Sequence, residues 1–389
     1  MKRVCELANR ILRRILHSGP ATRPELIAET GARAASVLAA VDALKAEGWL
    51  QEPGRRDGRT GRRSPVLECN PGHCWFAGVD LQLRRTVGVV VDAAGNIVVE
   101  REIAAPRRSF ADARREIARV LSALREASGS DWQLVSGIGF ADPGVVDTEK
   151  GISLRAVNVP GWENLATAEW LTGEFKLPVR LWPEEQIKTR MEYLLRLPDS
   201  PDSLFHLGMD GGIGGGFIRG GKLFIGSTGH GMEIGHVVVA PGGEICHCGS
   251  RGCLEVVAGE DGIRRRIAAL RAGGVKTELD PENFSLGKLV AAVPRDKAAG
   301  IIADEVCAGV GLALSTVVAL LNPQMIVLSG ELTGLGDLLI SSVRRALTLN
   351  CFAEAVRGLR IEKALSGPAD TARGAAIMFR DRILFGPEL

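Results

Sequence analysis

Apolar residues recur at helical spacing near the start of the chain, at Val4, Leu7, Ile11, Leu12 and Ile15. The pair Gly19-Pro20 predicts the end of that helix, because neither residue sustains a helical backbone. Thr22 and Glu25 follow with the spacing of a capping box, in which each side chain binds the backbone N–H of the other. A second, shorter helix is therefore predicted, and it ends at Gly31.

The next apolar pattern predicts a third helix that starts at Ala34 and ends at Gly48, with a buried face of Val37, Val41 and Leu44. Two short strands follow, separated by a turn rich in Gly and Arg, and the second strand runs through Val66 and Leu67. Three helices and a basic hairpin predict a winged helix-turn-helix domain over residues 1 to about 70.

From about Cys74 onward, strand patterns alternate with helix patterns. Strands joined by a turn at 94–96 precede an amphipathic helix over 110–128, and a Pro-Gly turn at 143–144 separates two further strands. An apolar helix before Pro323 and a strand from Met325 continue the alternation. The pattern predicts an α/β body of about 320 residues, which is long enough for two lobes.

Composition narrows the class of protein. The chain has 389 residues, 46% hydrophobic and 24% charged, as expected for a globular protein of two or three domains. No run of about 18 uninterrupted apolar residues is present, so we expect no membrane span. Single scattered cysteines favour a reducing cytoplasm over a disulfide framework, and they lie at Cys5, Cys69, Cys74, Cys307 and Cys351.

Charge is distributed unevenly along the chain. Residues 1–65 hold thirteen Lys and Arg against seven Asp and Glu, whereas the other 324 residues hold 35 against 39. A basic head on an acidic body is typical of a domain that binds DNA. On the third helix, Arg33 and Ser36 are the candidates for reading base edges. Candidates for phosphate or minor-groove contacts lie in the wing, at Arg55, Arg56, Arg59, Arg62 and Arg63.

Residues 233–255 contain three of the eight cysteines and two of the six histidines. The spacings C-x-C and C-x4-C allow a single loop to supply the thiolates of Cys246, Cys248 and Cys253 to a metal ion. Gly249 and Gly252 permit the sharp turns that this requires. The alternative interpretation is that these are buried free thiols or incidental loop residues, but the density of ligand types and the glycine spacing favour a metal.

Several motifs together resemble the ROK family, which groups bacterial sugar kinases with transcriptional repressors that share their body. The resemblance covers nearly the whole chain, and its most specific part is E-I-G-H followed ten residues later by C-x-C-G-x-x-G-C-L-E. The other motifs are the preceding glycine-rich stretch, PGVVD at 143–147, NVPGW at 158–162 and the helix-turn-helix. The helix-turn-helix places the chain with the repressors.

The resemblance implies a ribonuclease-H/actin-like, sugar kinase-like body of two lobes with a sugar cleft between them. We expect the lobes at 71–186 and 187–389, with the C-terminal helix packing back on the first lobe. His236 would complete a closed site for one structural zinc ion per chain, and His247 would point away. The residues implied to contact a sugar are Asn158, Glu184, Glu233, His236 and Glu255.

Three departures from the family's kinases predict that this chain is not an active kinase. Pro183 and Glu184 stand in place of an Asn-Asp pair whose Asp is the base. Glutamate is one methylene longer than aspartate, so its carboxylate is displaced by about 1 Å from the position of that base. Gln82 and Leu83 replace the glycines of the first phosphate loop. Asp210 precedes the second phosphate turn, where a carboxylate repels polyphosphate. In addition, Asp142 occupies a position where the family usually has a small apolar residue.

The sequence therefore predicts a cytoplasmic DNA-binding regulator of carbohydrate genes, most simply a repressor. Its partners would be a double-stranded DNA operator and a sugar or sugar derivative, without a membrane. A homodimer or dimer of dimers is expected, because paired half-sites compensate for the small interface of one recognition helix. Three alternatives stay open. One is a ROK-type sugar kinase that retains some activity, and another is a regulator whose sugar cleft has been altered or emptied by drift. The third is a zinc-clamped regulator controlled by a protein partner.

Overall fold

The N-terminal module consists of three helices and a small sheet. The computed structural model describes residues 2–57, 63–104 and 109–386. The elements of the module are α1 (Lys2–Ser18), β1 (Ala21–Thr22), α2 (Arg23–Thr30), α3 (Ala34–Ala46), β2 (Leu50–Asp57) and β3 (Arg63–Cys69). The capping box is present, since Thr22 N donates to Glu25 Oε2 at 2.7 Å and Glu25 N donates to Thr22 Oγ1 at 3.5 Å. The predicted winged helix-turn-helix is confirmed.

Strand β1 was not predicted, because two residues give no period. It pairs antiparallel with β3, with Ala21 opposite Leu67 and Thr22 opposite Val66, so the sheet order is β1-β3-β2. This pairing joins the start of α2 to the wing hairpin. The orientation of the helices relative to the wing is thereby set by backbone hydrogen bonds.

The body contains two five-stranded sheets. The strands of the first are β4 (Trp75–Leu81), β5 (Arg85–Val91), β6 (Ile97–Ala104), β7 (Val135–Asp142) and β11 (Val179–Pro183). Their order in the sheet is β11-β7-β4-β5-β6. A small sheet of β8 (Val145–Asp147), β9 (Ile152–Arg155) and β10 (Glu163–Leu165) accompanies it, with helices α4 (Phe110–Ser128), α5 (Thr167–Phe175) and α6 (Glu184–Leu194).

The second sheet has the order β14-β13-β12-β15-β16. Its strands are β12 (Ser203–Met209), β13 (Ile213–Arg219), β14 (Lys222–Leu223), β15 (Met325–Ser329) and β16 (Arg360–Lys363). The remaining α-helices are α7 (Leu254–Ala258), α8 (Glu260–Ala272), α9 (Leu286–Ala292), α10 (Lys297–Leu321), α11 (Asp337–Asn350), α12 (Ala353–Val356) and α13 (Asp370–Phe385). Short 3-10 helices span Gly129–Leu134, Ile234–His236, Pro281–Asn283 and Glu331–Leu335. The predicted α/β body is confirmed.

The chain forms two compact units. Unit 1 contains the described residues up to Ile187, together with 194–200 and those from Ser366 onward. Unit 2 contains Lys188–Tyr193 and Pro201–Leu365. The N-terminal module and the first sheet therefore belong to unit 1, and the second sheet belongs to unit 2.

Helix α13 packs directly on the first sheet, although it comes last in the chain. Two glycines make this close approach possible. A Cβ at Gly78 would lie 1.9 Å from the carbonyl oxygen of Ala372, and one at Gly139 would lie 2.0 Å from that of Ala375. Any larger residue at either strand position would push the helix off the sheet.

Helix α10 forms the centre of unit 2. Within the described ranges it is the one helix long and apolar enough to cross a membrane. Of its most apolar 18-residue stretch, 67% is buried inside the protein. The buried face of α10 lies in the core of unit 2, where it contacts α7, α8, α9 and α11.

Candidate functional site

Four side chains with metal-binding atoms converge in unit 2. The ligand atoms of His236, Cys246, Cys248 and Cys253 all lie within 4.8 Å of one another. Cys248 Sγ is 3.7 Å from Cys253 Sγ, and Cys246 Sγ is 3.6 Å from His236 Nδ1. Tetrahedral zinc with thiolate and imidazole ligands requires distances of about 3.5–3.8 Å between ligand atoms. The four predicted ligands therefore fit a metal ion in a closed set.

The loop before α7 carries the three cysteines in a tight hairpin. Cys246 N donates to Ser250 O at 2.8 Å and Gly249 N donates to Cys246 O at 2.9 Å, which folds the C-x-C stretch back on itself. Gly249 has φ +91° and Gly252 has φ +73°. A Cβ at Gly252 would lie 1.7 Å from Ala240 O. Both glycines are thus required by the turns, as their spacing indicated.

Burial disfavours the thiolate form at two of the three cysteines of the cluster. Burial raises the pKa of the Cys253 thiol to about 12 and also raises the pKa of Cys246. The Ser250 N–H, by contrast, lowers the pKa of Cys248. A divalent cation stabilises thiolates and removes the penalty of burying them. The ring of His247 packs edge-on against His236, with centroids 5.0 Å apart, and is closer to the cluster than expected.

Glu255 connects the cysteine loop to the second sheet. It lies in the first turn of α7, two residues after Cys253, and its Oε2 accepts a 2.7 Å hydrogen bond from Ile213 N at the start of β13. Burial, with smaller contributions from the nearby charges of Asp261 and Glu233, raises the pKa of Glu255 to about 7, although the Ile213 N–H acts to lower it. Glu233 is exposed at the N-cap of the 3-10 helix that contains His236. Both carboxylates thus lie beside the cysteine cluster.

The other two candidate sugar contacts belong to unit 1. Glu184 is the first residue of α6 and directly follows Pro183, the last residue of β11. Asn158 is exposed on the loop 156–162, whose Ala156, Val159 and Trp162 side chains are buried. The structure therefore places Asn158 and Glu184 in one unit and the remaining three candidates in the other.

The segments that would correspond to phosphate loops are closed by internal hydrogen bonds. In unit 1, Gln82 Nε2 donates to Asp80 Oδ2 at 2.6 Å and to Pro368 O at 3.3 Å. In unit 2, Asp210 Oδ1 accepts from Glu331 N at 3.0 Å, and its Oδ2 is 3.4 Å from Lys188 Nζ. Side chains thus take up backbone and polar groups that a phosphate loop would offer to a nucleotide.

The retained glycines of the second turn have a packing role. A Cβ at Gly216 would lie 2.0 Å from Thr189 Oγ1, and one at Gly215 would lie 2.8 Å from Ile234 and 2.9 Å from Phe205. Only glycine fits at these positions of β13. The presence of these two glycines is therefore explained without a phosphate ligand.

The candidate DNA-binding residues occupy two elements of the module. Arg33 is the N-cap of α3, and both Arg33 and Ser36 are exposed. The backbones of Arg55 and Arg56 lie in β2, and that of Arg63 lies in β3. Arg59 and Arg62 lie outside the described residues. Helix α3 thus presents its first turn to solvent, as a recognition helix requires.

The sequence model of the ROK family matches residues 76–382. The chain belongs to the ROK family. The xylose repressor of Caldicellulosiruptor bescii is 24% identical over 387 residues, which cover 97% of this chain and 96% of that protein. The glucokinase of Thermotoga maritima is 31% identical over 237 residues, or 59% of this chain and 73% of that protein.

The fold comparison agrees over the full length. A crystal structure of a ROK family transcriptional regulator, a homologue of the Escherichia coli MLC protein, has a TM-score of 0.81 and 23% identity. The aligned region covers 97% of this chain and 96% of that protein. A ROK body with a winged helix-turn-helix in front is therefore the architecture of this chain.

One polar residue of this ROK chain has a role that sequence reasoning missed. Asp142, at the end of β7, is fully buried, and its carboxylate accepts hydrogen bonds from Gly144 N at 2.9 Å, from Trp162 Nε1 at 3.1 Å and from Ser153 Oγ. Burial raises the pKa of Asp142 to about 6 despite these donors. The feature of the sequence that could have indicated this role is a carboxylate at the end of an otherwise apolar strand.

Proposed function

We propose that this protein is a sugar-responsive transcriptional repressor. The observation that carries the proposal is the winged helix-turn-helix, with an exposed first turn on α3, in one chain with a ROK body. A relative that matches over 97% of the chain is named a xylose repressor, and this supports a repressor of carbohydrate genes. An enzyme that acted only on free sugar would have no use for the N-terminal module.

The DNA contacts proposed are Arg33 and Ser36 for base edges and the wing arginines for the phosphate backbone. The wing residues are Arg55, Arg56, Arg59, Arg62 and Arg63. Binding is proposed to involve two copies of the chain, because one recognition helix buries too little surface for high affinity. The operator would then contain two half-sites about one helical turn apart.

We propose one structural zinc ion at the cluster of His236, Cys246, Cys248 and Cys253. The distances between ligand atoms support it, and a Cys3His set leaves no position for a catalytic water. The ion would hold the loop before α7 in one conformation. Glu255 is attached to that loop, so its position relative to β13 would be fixed before a ligand arrives.

The proposed ligand is a sugar or sugar derivative. Carboxylates accept hydrogen bonds from hydroxyls, which suits Glu184, Glu233 and Glu255, and the Asn158 amide both donates and accepts. With Nδ1 of His236 facing Cys246, its Nε2 is the nitrogen assigned to a sugar hydroxyl. The name of the xylose repressor makes D-xylose the first sugar to test.

We propose that the protein does not phosphorylate its ligand. Phosphoryl transfer needs a placed carboxylate base, a phosphate cradle and magnesium. Pro183-Glu184 alters the base, while Gln82 and Asp210 close the two segments that would hold phosphates. Residual kinase activity is the alternative, favoured by the similarity to a glucokinase over 59% of the chain.

The test is a DNA titration with and without sugar. The purified protein is first screened by thermal shift against D-xylose, D-glucose and N-acetyl-D-glucosamine, because a ligand of the native state raises its apparent stability. The stabilising sugar is then added to a titration of the promoter upstream of its own gene. We expect weaker DNA binding with sugar. Tight DNA binding that no sugar alters, but that a protein partner relieves, would support the alternative class of regulator.

The wing provides a second test within the same assay. Replacing Arg62 and Arg63 with Ala should weaken binding to all sequences and lower the salt slope by about one to two, because fewer counterions are released. Replacing Arg33 or Ser36 should instead change sequence preference. The matched control is Arg125→Ala on the exposed face of α4, for which binding should be unchanged.

A further inference from the structure

Asp142 holds three separate segments of unit 1 together. Its Oδ1 accepts from the backbone N–H of Gly144 in the turn after β7, and its Oδ2 accepts from Ser153 on β9 and from the indole of Trp162. Ser153 is in turn 2.7 Å from Thr167 Oγ1 at the start of α5. Asp142 itself has no exposed surface, so it cannot contact a ligand.

The loop that carries Asn158 is fixed at both ends by this arrangement. Ala156 N donates to Trp162 O at 2.9 Å, and Trp162 N donates to Val159 O at 3.0 Å. The Trp162 ring is buried against Phe140 and Phe110, at centroid distances of 6.1 and 5.7 Å. The indole N–H points to Asp142. Between these buried points, Asn158 faces solvent.

The turn after β7 is pressed against the same loop. A Cβ at Gly144 would lie 2.0 Å from Arg155 O and 2.7 Å from the Cα of Ala156, so the turn touches the residues that lead into the loop. The carboxylate of Asp142 binds the N–H of Gly144 and the indole of Trp162 at the same time. One side chain therefore links the turn to the loop.

From these contacts we propose that Asp142 is a positioning residue, which sets the conformation of the turn at 143–144 and of the loop 156–162 and so orients Asn158 toward the ligand. The proposal rests on the proposed sugar-binding function. Asp142 lies beside Pro183 in the parallel pair of β7 and β11, where the chain lacks the Asn-Asp pair of the family's kinases. At this place in the chain the polar side chain therefore comes from β7, the strand beside β11.

Burying the Asp142 carboxylate costs free energy, and this cost supports a role for Asp142 beyond stabilising the fold. A buried charge is unfavourable even with hydrogen bonds, and an apolar residue of similar size is often at least as stable. Burial and the nearby charge of Glu184 both act against the ionised form of Asp142. A small apolar residue at this position could not accept the bonds of Gly144 and Trp162.

The test uses hydrogen exchange of the full-length protein together with sugar binding. Gly144 and Trp162 donate to different oxygens of Asp142, and Asp142→Asn replaces one of these oxygens with an NH2 donor, so one of the two bonds is lost. Trp162→Phe keeps the aromatic packing and removes only the indole donor. We expect both variants to raise the exchange rates of the Ala156 and Trp162 amides at least about tenfold. Glu116→Gln is the control, since Glu116 is a buried carboxylate of the same unit that accepts from Thr86 at 3.0 Å.

Sugar affinity is measured on the same variants with whichever of D-xylose, D-glucose and N-acetyl-D-glucosamine stabilises the parent. We expect Kd to rise at least about tenfold in Asp142→Asn and Trp162→Phe, with sugar-free DNA binding unchanged. Loop amides that exchange as in the parent, or as in Glu116→Gln, would overturn the proposal. If no sugar binds the parent, the proposed function fails, and the exchange rates still decide the role of Asp142.

Discussion

His17 at the end of α1 places its Nε2 3.1 Å from Oδ2 of Asp381 on α13. Asp381 Oδ1 also accepts from Nε and Nη2 of Arg380 at 2.9 and 2.8 Å, and Arg380 Nη1 donates to Ala93 O at 3.0 Å. Residues 17 and 381 are 364 positions apart in the chain. The winged helix-turn-helix is thus joined, through one buried carboxylate, to the helix that packs on the first sheet.

Substitutions at different residues of this network should lower the free energy of unfolding by different amounts. Asp381→Ala should lower the free energy of unfolding by about 3–5 kcal/mol, because Arg380 is 1% exposed and its guanidinium would lose its charged partner. His17→Ala removes one hydrogen bond at the edge of the network and should cost about 1 kcal/mol. Urea denaturation of both variants measures the difference. Equal costs would show that Arg380 does not depend on Asp381.

The metal site predicts close to one zinc ion per chain in freshly purified protein handled without chelators. Cys246→Ala or Cys253→Ala should lose the ion and lower the melting temperature, because binding energy of a structural ion contributes to folding. Cys307→Ala is the matched control, since Cys307 is a buried thiol on α10 and not one of the four ligands. Elemental analysis decides the matter. Parent protein with well under one zinc per chain would contradict the site.

The closed phosphate segments predict the absence of kinase turnover. With ATP, magnesium and a panel of hexoses, pentoses and amino sugars, product formation should not exceed the blank. Kinases typically reach about 1–100 s⁻¹, so even a weak activity is measurable in a coupled assay. Turnover in that range that is lost in Glu184→Gln would establish the alternative function and assign Glu184 as its base.

The carboxylates beside the cysteine cluster predict a separation of sugar response from DNA binding. Glu255→Gln or Glu233→Gln should abolish the effect of sugar on DNA affinity, since a ligand shifts an equilibrium only through its differential affinity for two states. Sugar-free DNA binding should stay within about threefold, or ~0.6 kcal/mol. The parent coupling expected is about 1–3 kcal/mol. An undiminished response in both variants would place the ligand elsewhere.

Asp142 predicts a pH dependence of stability. Its pKa is raised from 3.8 to about 6, so the folded protein holds this proton more tightly than the unfolded chain does. The stabilisation is complete below about pH 4 and is lost as pH rises through 6, by on the order of 3 kcal/mol. Asp142→Asn does not ionise. Its free energy of unfolding relative to the parent should therefore increase between pH 4 and 7, and a difference that stays constant with pH would contradict the raised pKa.

Local sequence signals predicted much of this protein. The capping box of Thr22 and Glu25, the apolar faces of α1 and α3 and the basic hairpin each depend on residues a few positions apart. The candidate metal site is nearly as local, because Cys246, Cys248 and Cys253 come from one loop whose turns need glycine. Short-range hydrogen bonds and ligand spacing follow directly from residue type, so such features can be inferred before the fold is known.

Contacts between distant segments could not be inferred in this way. Gly78 and Gly139 are needed because α13 returns from the end of the chain to lie on their strands. The role of Gly216 became visible only when Thr189 was found against it. Periodicity predicts that a segment is a strand or a helix, but not which segments pack together. It therefore indicates neither α13 nor Thr189 as the partner of these glycines.

Asp142 shows the same limit at the candidate site. The sequence determined that a carboxylate stands at the end of an apolar strand, and it predicted Asn158 as a ligand contact. Only the tertiary structure decided that Asp142 is buried and bonded to Gly144 and Trp162. The physical reason is that the burial and the partners of a polar group depend on which segments pack around it, and packing between segments is a property of the whole fold.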